Sequence, residues 1–208
     1  MRVLPASVAV SAALLLASST ADAKLFDLYA QVNLGGGGGG GTGGAQQDNA
    51  FASGASGAAF GALMGAEILF FDLWVNHTQY VGGDGINGTF TQFMAGFDVD
   101  FELDDPDPGK PNEFFAEVGI GFGFGLGTGR QVDPPLDNAQ ITDKGGVLEA
   151  KVAGEYHINK ALSAGVMVPI QWAYMVKNGP GIVANDTENH YQQLAVAVMA
   201  YFQFHVEL

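Results

Sequence analysis

Apolar and polar residues alternate along most of this chain with a period of two. The clearest stretch runs from Ala195 to Leu208 and reads AVAVMAYFQFHVEL. Its even-numbered residues are all apolar, whereas Tyr201, Gln203 and His205 fall on the opposite side. This period belongs to a β-strand and not to a helix, which repeats about every 3.6 residues. We therefore predict a long closing strand with one apolar and one polar face.

The same alternation predicts eight strands. Their predicted ranges are 26–34, 58–68, 73–80, 92–102, 113–127, 147–157, 162–172 and 191–208. Short connections near Phe71, Gly109 and Asn159 alternate with four connections that are mostly longer, so successive strands run antiparallel and the short connections share one rim. The predicted fold class is all-β, an eight-stranded antiparallel up-and-down barrel.

Alternation alone does not say which face of the strands is inside. A water-soluble ligand barrel would bury the apolar face and display the other one, which should then carry many charges. That other face instead holds the glycines from Gly119 to Gly127, together with Ala197, Met199 and a single Lys. We therefore predict the membrane arrangement, with the apolar face toward lipid.

A run of seven glycines, Gly35 to Gly41, follows the first predicted strand and leads into small polar residues up to about Gly57. This composition offers little apolar area to bury, so we predict a long mobile surface loop. A phosphate-binding loop would need a following Lys and a helix, and the sequence has neither here.

Glycines also recur at every second position from Gly119 to Gly127 in the fifth predicted strand. This spacing is not that of a dinucleotide-binding motif. It removes the side chains from one face of the strand, so we expect a bulky group to approach there or the sheet to bend. In the seventh strand, Pro169 cannot donate to a ladder, and we expect a bulge or an interrupted bond.

The segment from Asp104 to Asn112, DDPDPGKPN, is rich in turn-forming residues and in aspartate. The aspartates lack the spacing and the distal Glu of a calcium-binding loop. We therefore predict a solvated turn and no metal site.

The ends and the charge of the chain indicate its compartment. Arg2, an apolar run and the triplet Ala21-Asp22-Ala23 form a secretory signal peptide over residues 1–23, which leaves a barrel domain over residues 24–208. There is no Cys, and the formal net charge is −14. Such acidity argues against nucleic-acid binding, which needs Lys and Arg to displace counterions. We also predict no cofactor.

From residue 25 to residue 208 the chain resembles the small OmpA/OmpX-type outer-membrane β-barrels. The residues that carry the resemblance are the closing YFQFHVEL, the turn and strand EYHINKALSAGV from Glu155 to Val166, and the signal peptide. The terminal residue is Leu208, where that family usually has Phe. The resemblance implies a transmembrane barrel in the bacterial outer membrane, in contact with its lipid and with surface or envelope proteins not identified by the sequence.

Three functions are compatible with such a barrel. The first is a non-enzymatic structural or surface-interaction role for a barrel with mobile loops. The second, implied by resemblance to barrels that act on lipid A acyl chains through Ser and His, would use Ser163, His157 and Glu155. These residues lie away from outer-leaflet lipid, so we predict no enzyme and no catalytic residues. The third is a narrow channel for small solutes, which depends on whether the glycine stripe leaves a continuous gap.

Within the predicted strands, Lys151 is the only Lys or Arg on an inward face. The acids sharing that face are Asp27, Glu67, Asp98, Asp100, Glu117, Glu149 and Glu155. A charge removed from bulk water needs a partner. We therefore predict a lumen charge cluster in which Lys151 bridges at least two acids and plugs the barrel. Glu117 is the best candidate partner, and the other predicted members are Glu149, Glu67 and Asp98.

Overall fold

The computed structural model of the protein describes residues 26–43, 56–82, 87–103, 114–130, 141–178 and 190–207. Eight strands contain nearly all of these residues. They are β1 (Asp27–Gly43), β2 (Ser56–Ile68), β3 (Phe71–Gly82), β4 (Asn87–Glu102), β5 (Phe114–Arg130), β6 (Ile141–Asn159), β7 (Leu162–Asn178) and β8 (His190–Glu207). No helix in the described ranges is long and apolar enough to cross a bilayer.

Each strand pairs antiparallel with its neighbours in sequence, and β8 pairs with β1 to close the barrel. The β1–β8 ladder runs from Asp27 opposite Glu207 to Gly43 opposite Tyr191. This topology confirms the predicted eight-stranded up-and-down barrel. Most strands are longer than alternation indicated, and β7 in particular continues far enough to bring Lys177 into register with Asp143.

One end of the barrel carries tight turns, and we call it the short-turn rim. Here β1 begins, β8 ends, Leu69 and Phe70 join β2 to β3, and Lys160 and Ala161 join β6 to β7. In the β6–β7 turn, the amide of Ala161 donates a 2.9 Å hydrogen bond to the side-chain oxygen of Asn159. The predicted turn from 104 to 112 lies outside the described residues.

The apolar faces of the strands point outward. Val32, Met64 and Ile120 are each at least 60% exposed, whereas inward residues such as Asp72 and Gln92 are 1% exposed. A water-soluble barrel would have the reverse arrangement. The exposed apolar belt therefore confirms the membrane arrangement expected from the sequence, because lipid is the solvent that suits such a surface.

The glycine run was wrongly predicted to be a loop. Gly35 to Gly41 lie inside β1, opposite β8 residues from Met199 to Gln193. The prediction considered only side-chain burial, whereas a closed barrel stabilises this segment through the backbone hydrogen bonds of its ladders. A side chain would also be excluded at Gly35, because an added Cβ would overlap the carbonyl oxygen of Val198. Residues 44–55 of the predicted loop lie outside the described residues.

The glycine stripe of β5 is covered by bulky side chains from neighbouring strands, as the spacing indicated. An added Cβ at Gly121 would overlap the Trp74 ring, and one at Gly125 would lie 2.6 Å from Cζ of Phe90. The stripe therefore accommodates large side chains that β5 itself does not supply.

Pro169 interrupts one of its two ladders, as expected from its missing amide hydrogen. It pairs in register with Lys151 on the β6 side. On the β8 side, paired positions stop at Met167 and resume at Ile170 without a register shift.

Candidate functional site: the barrel lumen

The predicted bridge at Lys151 is present in the middle of the lumen. The Lys151 Nζ atom lies 2.5 Å from Oε1 of Glu117 on β5 and 3.3 Å from Oδ2 of Asp98 on β4. It also lies 5.7 Å from the centroid of the Trp74 ring, within cation–π range. These contacts arise because Gly119 separates Lys151 from Asp98 in register, and its missing side chain leaves room for the Lys stem.

The two remaining predicted members of the charge cluster lie apart from the Lys151 ion pairs. Glu149 is buried, and its Oε2 accepts a 2.6 Å hydrogen bond from Nε2 of Gln171. Glu67 is placed by register between Asp27 on β1 and Asp72 on β3, at the short-turn rim. The cluster therefore has a compact centre at Lys151, Glu117 and Asp98.

Alternation did not identify Asp72 as part of the lumen. It is 1% exposed, and the Tyr29 hydroxyl on β1 lies 2.6 and 2.7 Å from its two carboxylate oxygens. The predicted third strand began at Leu73, which left Asp72 in a connection. The sequence signal was available, because Asp72 has the same parity as the inward residues Trp74 and Asn76.

A hydrogen-bonded chain of side-chain amides spans the lumen, farther from the short-turn rim than Lys151. The Nε2 atom of Gln171 on β7 donates to Oε1 of Gln92 on β4 at 3.2 Å. The Nδ2 atom of Asn76 on β3 donates to the same oxygen at 3.1 Å. Because β7 and β3 lie on opposite sides of an eight-stranded barrel, these amides occupy its cross-section.

Apolar side chains fill much of the lumen on both sides of this chain, with Trp74 and Met94 on the side of the short-turn rim and the others farther from it. One buried cluster consists of Trp74, Phe90, Met94, Val147, Ala173, Met175 and Tyr191. Sequence alternation placed Trp74 and Met94 on the inward face, whereas Phe90, Ala173 and Met175 lie outside the predicted strands. The cluster closes the lumen by packing, in addition to the polar contacts at its centre.

At the short-turn rim, His205 is the centre of a polar cluster that the sequence did not reveal. Its Nδ1 lies 2.9 Å from Oδ2 of Asp27, and its Nε2 lies 3.0 Å from Oγ of Ser163. The partners predicted for Ser163 were His157 and Glu155. The structure instead shows Ser163 bonded to His205, because the end of β8 pairs beside the start of β7, and closure adds the start of β1 on its other side.

Glu155 joins His157 and Tyr201 to this cluster. His157 Nε2 lies 2.6 Å from Oε1 of Glu155, and the Tyr201 hydroxyl donates a 2.6 Å hydrogen bond to Oε2. His205 Nε2 lies 3.7 Å from Oε1 of Glu155. We call Asp27, Glu155, His157, Ser163 and His205 the rim cluster.

The connectivity of Asp27, His205 and Ser163 matches that of a hydrolytic triad, in which an acid orients a His that activates a hydroxyl. The Ser163 side chain, however, is 0% exposed. A nucleophile must come within bonding distance of a substrate, and a fully buried hydroxyl offers no such approach. In this closed barrel the three residues therefore hold β1, β7 and β8 together.

The other two histidines lie on the outer face. His77 Nδ1 is 2.8 Å from Oγ1 of Thr91, and His190 Nδ1 is 2.6 Å from the Tyr174 hydroxyl. Both pairs are exposed, so neither histidine belongs to the lumen.

No protein-family model matches the sequence. No curated protein matches it significantly either. Similarity therefore rests on comparison with solved structures.

The crystal structure of Neisserial surface protein A (NspA) is similar, with a TM-score of 0.55 and 11% sequence identity over 85% of this chain and 96% of that one. The outer membrane protein OprG from Pseudomonas aeruginosa has a TM-score of 0.46 and 11% identity, covering 89% of this chain and 98% of its own. The N-terminal β-barrel domain of Pseudomonas aeruginosa OprF has a TM-score of 0.43 and 13% identity, covering 85% and 97%. The likeness to NspA shows that this chain has the fold of the eight-stranded transmembrane β-barrels.

Proposed function

We propose that this protein is a non-enzymatic β-barrel of the bacterial outer membrane with a structural or surface-interaction role. The observation that carries the proposal is the cross-lumen hydrogen bond from Gln171 to Gln92. Together with the Lys151 ion pairs nearer the short-turn rim and the apolar cluster packed on both sides of it, this bond supports a lumen filled by side chains at successive levels. A filled lumen suits a barrel that acts through its outer surface and its loops.

The surface-interaction part of the proposal rests on the four connections that lead from β1 to β2, β3 to β4, β5 to β6 and β7 to β8. The strand ends that they join lie at the rim opposite the short turns. The sequence of residues 44–55, 83–86, 131–140 and 179–189 contains no Lys or Arg. Its acidic residues are Asp48, Asp84, Asp133, Asp137, Asp186 and Glu188. A partner at this rim should therefore carry positive charge or bind through cations.

The alternative function is a narrow channel for small solutes. Its path would have to run along the glycine stripe of β5. The side chains of Lys151, Trp74, Met94 and Phe90 lie against successive glycines from Gly119 to Gly125. This coverage supports the structural role over the channel. A lipid-modifying enzyme is disfavoured by the burial of Ser163.

The test is conductance of the purified protein in a planar lipid bilayer, combined with mass spectrometry of lipid A from cells with and without the protein. We expect no discrete conductance steps and unchanged lipid A acylation. Reproducible steps from the parent protein would favour the channel. A protein-dependent change in acyl chains would overturn the non-enzymatic role.

A further inference from the structure

We propose that Glu155, His157 and His205 bind a divalent transition-metal ion of the zinc class at the short-turn rim. One ligand atom from each of these three residues lies within 4.8 Å of the other two. Two imidazole nitrogens and one carboxylate oxygen are a donor set that zinc uses in proteins. The proposal concerns binding, and it is separate from the proposed role of the barrel.

The donor atoms already converge on a single oxygen. His157 Nε2 is 2.6 Å and His205 Nε2 is 3.7 Å from Oε1 of Glu155. Metal bonds of about 2.0 to 2.1 Å in a tetrahedral site place neighbouring ligand atoms about 3.3 Å apart. Both distances lie within about 1 Å of that spacing, so an ion would require His157 Nε2 to move away from Oε1 of Glu155 and His205 Nε2 to move toward it.

The strand between the ligands makes this convergence possible. Glu155 and His157 lie on β6 and His205 lies on β8, with β7 between them. The inward positions of β7 at this level are Ser163 and Gly165. Because these residues are small, side chains from β6 and β8 reach one another across β7.

Other residues hold each ligand in the orientation that metal binding requires. Oδ2 of Asp27 lies 2.9 Å from Nδ1 of His205, so a proton on Nδ1 leaves the Nε2 lone pair directed at the site. The Tyr201 hydroxyl binds Oε2 of Glu155, which leaves Oε1 for the ion. The Phe115 ring packs against His157 with its centroid 4.7 Å away. In metal sites, a ligating His characteristically donates its other ring N–H to a carboxylate, and a ligating carboxylate accepts a hydrogen bond from a neighbouring donor.

Charge and a fourth ligand also favour a cation at this position. Asp27 and His205 are buried, and in the described part of the chain Asp27 and Glu155 form ion pairs with histidines. A divalent ion would neutralise carboxylates that are otherwise costly to bury. Ser163 Oγ lies 3.0 Å from Nε2 of His205, so this oxygen or a water molecule would complete the coordination.

The test uses the purified protein folded in detergent, stripped with a chelator and titrated with Zn²⁺ by calorimetry and with Co²⁺ by visible absorption. We expect saturation near one equivalent, with the intense absorption of tetrahedral Co²⁺. His157→Gln and Glu155→Gln should each weaken binding by more than about tenfold, and Asp27→Asn by about 10- to 100-fold. Circular dichroism and the gel mobility of unheated samples establish that each variant is folded.

Because the chain has four histidines, His77→Gln and His190→Gln are matched controls that should bind like the parent. Histidine-labelled parent protein provides a test that needs no variant. Zn²⁺ should shift the imidazole resonances of His157 and His205 and leave those of His77 and His190 in place. Absence of saturable binding, shifts confined to His77 and His190, or full binding by folded His157→Gln and Glu155→Gln would each overturn the proposal.

Discussion

The side-chain amide of Gln171 on β7 donates a hydrogen bond across the lumen to Gln92 on β4, at 3.2 Å. The same nitrogen lies 2.6 Å from Oε2 of Glu149. One amide group thus connects β4, β6 and β7 through the lumen. Few side chains of an eight-stranded barrel are long enough to make such a connection, and it explains why this level of the lumen is occupied.

Replacement of Gln171 by Ala should open this level. Glu149 would lose its amide donor, and a buried polar group without a partner costs about 1 to 3 kcal/mol. We expect the free energy of unfolding, measured by urea titration, to fall by that amount. Gln192→Ala is the control, because Gln192 faces outward on β8 and should change stability by less than about 0.5 kcal/mol. Equal stability of the two variants would contradict the structural role of Gln171.

Lys151→Met should destabilise the barrel more strongly. It would leave Glu117 and Asp98 without the ammonium group that neutralises them. Removing one partner of a buried ion pair typically costs about 3 to 5 kcal/mol. Lys144→Met is the control on the same strand, where Lys144 is exposed. If Lys151→Met melts like the parent and gains no conductance in a planar bilayer, Lys151 does not plug the lumen.

A single methyl group at Gly121 should perturb the packing of Trp74. An added Cβ there would overlap the indole ring, whereas an added Cβ at Gly146, on the outer face, would meet nothing within 4 Å. We expect Gly121→Ala to lower the free energy of unfolding by about 1 to 3 kcal/mol and to change the fluorescence of Trp74. Gly146→Ala should leave both unchanged. Identical behaviour of the two variants would show that the ring does not cover the stripe.

The turn between β2 and β3 contains a strained residue. Leu69 has a φ of 63°, in the left-handed region that costs ordinary residues about 1 to 2 kcal/mol. Asn tolerates this conformation, so Leu69→Asn should raise the free energy of unfolding by about 1 kcal/mol. Phe70→Asn should lower it instead, because Phe70 stacks on Phe97 with ring centroids 6.1 Å apart. A loss of stability in Leu69→Asn would indicate that the turn relaxes in solution.

The glycine run should be protected from hydrogen exchange. Its residues from Gly35 to Gly39 pair with Met199 to Ala195 of β8, so their amides belong to a closed ladder. Exchange mass spectrometry of the folded protein should show slow exchange in peptides that contain this run. Exchange as fast as in the unfolded chain would restore the loop that the sequence suggested.

Period-two alternation was sufficient to predict the number of strands, their direction and the inward position of Lys151. It could also select Glu117 as partner, because the fifth and sixth strands are adjacent and few cations face inward. Alternation gives the face of a residue but not its height along the barrel. The contact of His205 with Asp27 depends on closure between the first and last strands, and no local pattern encodes that register.

Glycine composition was misleading for a different reason. In a water-soluble protein, the apolar side-chain area that a segment can bury indicates whether the segment will be ordered. A strand of a closed barrel is instead stabilised by backbone hydrogen bonds to a neighbouring strand on each side. The run from Gly35 to Gly41 therefore forms a strand without side chains to indicate one. Gly119 to Gly127 were easier to interpret, because apolar residues alternate with these glycines and mark the strand.

The position of the glycine run affects how β1 and β8 find their register when the barrel closes during assembly. Seven identical residues cannot distinguish one alignment of the β1–β8 seam from a shift along it, and glycine-rich strands specify pairing weakly. The correct alignment of this seam must then be selected at its other half, where Asp27 contacts His205 and Val32 lies opposite Phe202. The contacts of the rim cluster would in this way fix the register of β8 against β1 during assembly. This contribution is separate from any role of the cluster in the folded barrel.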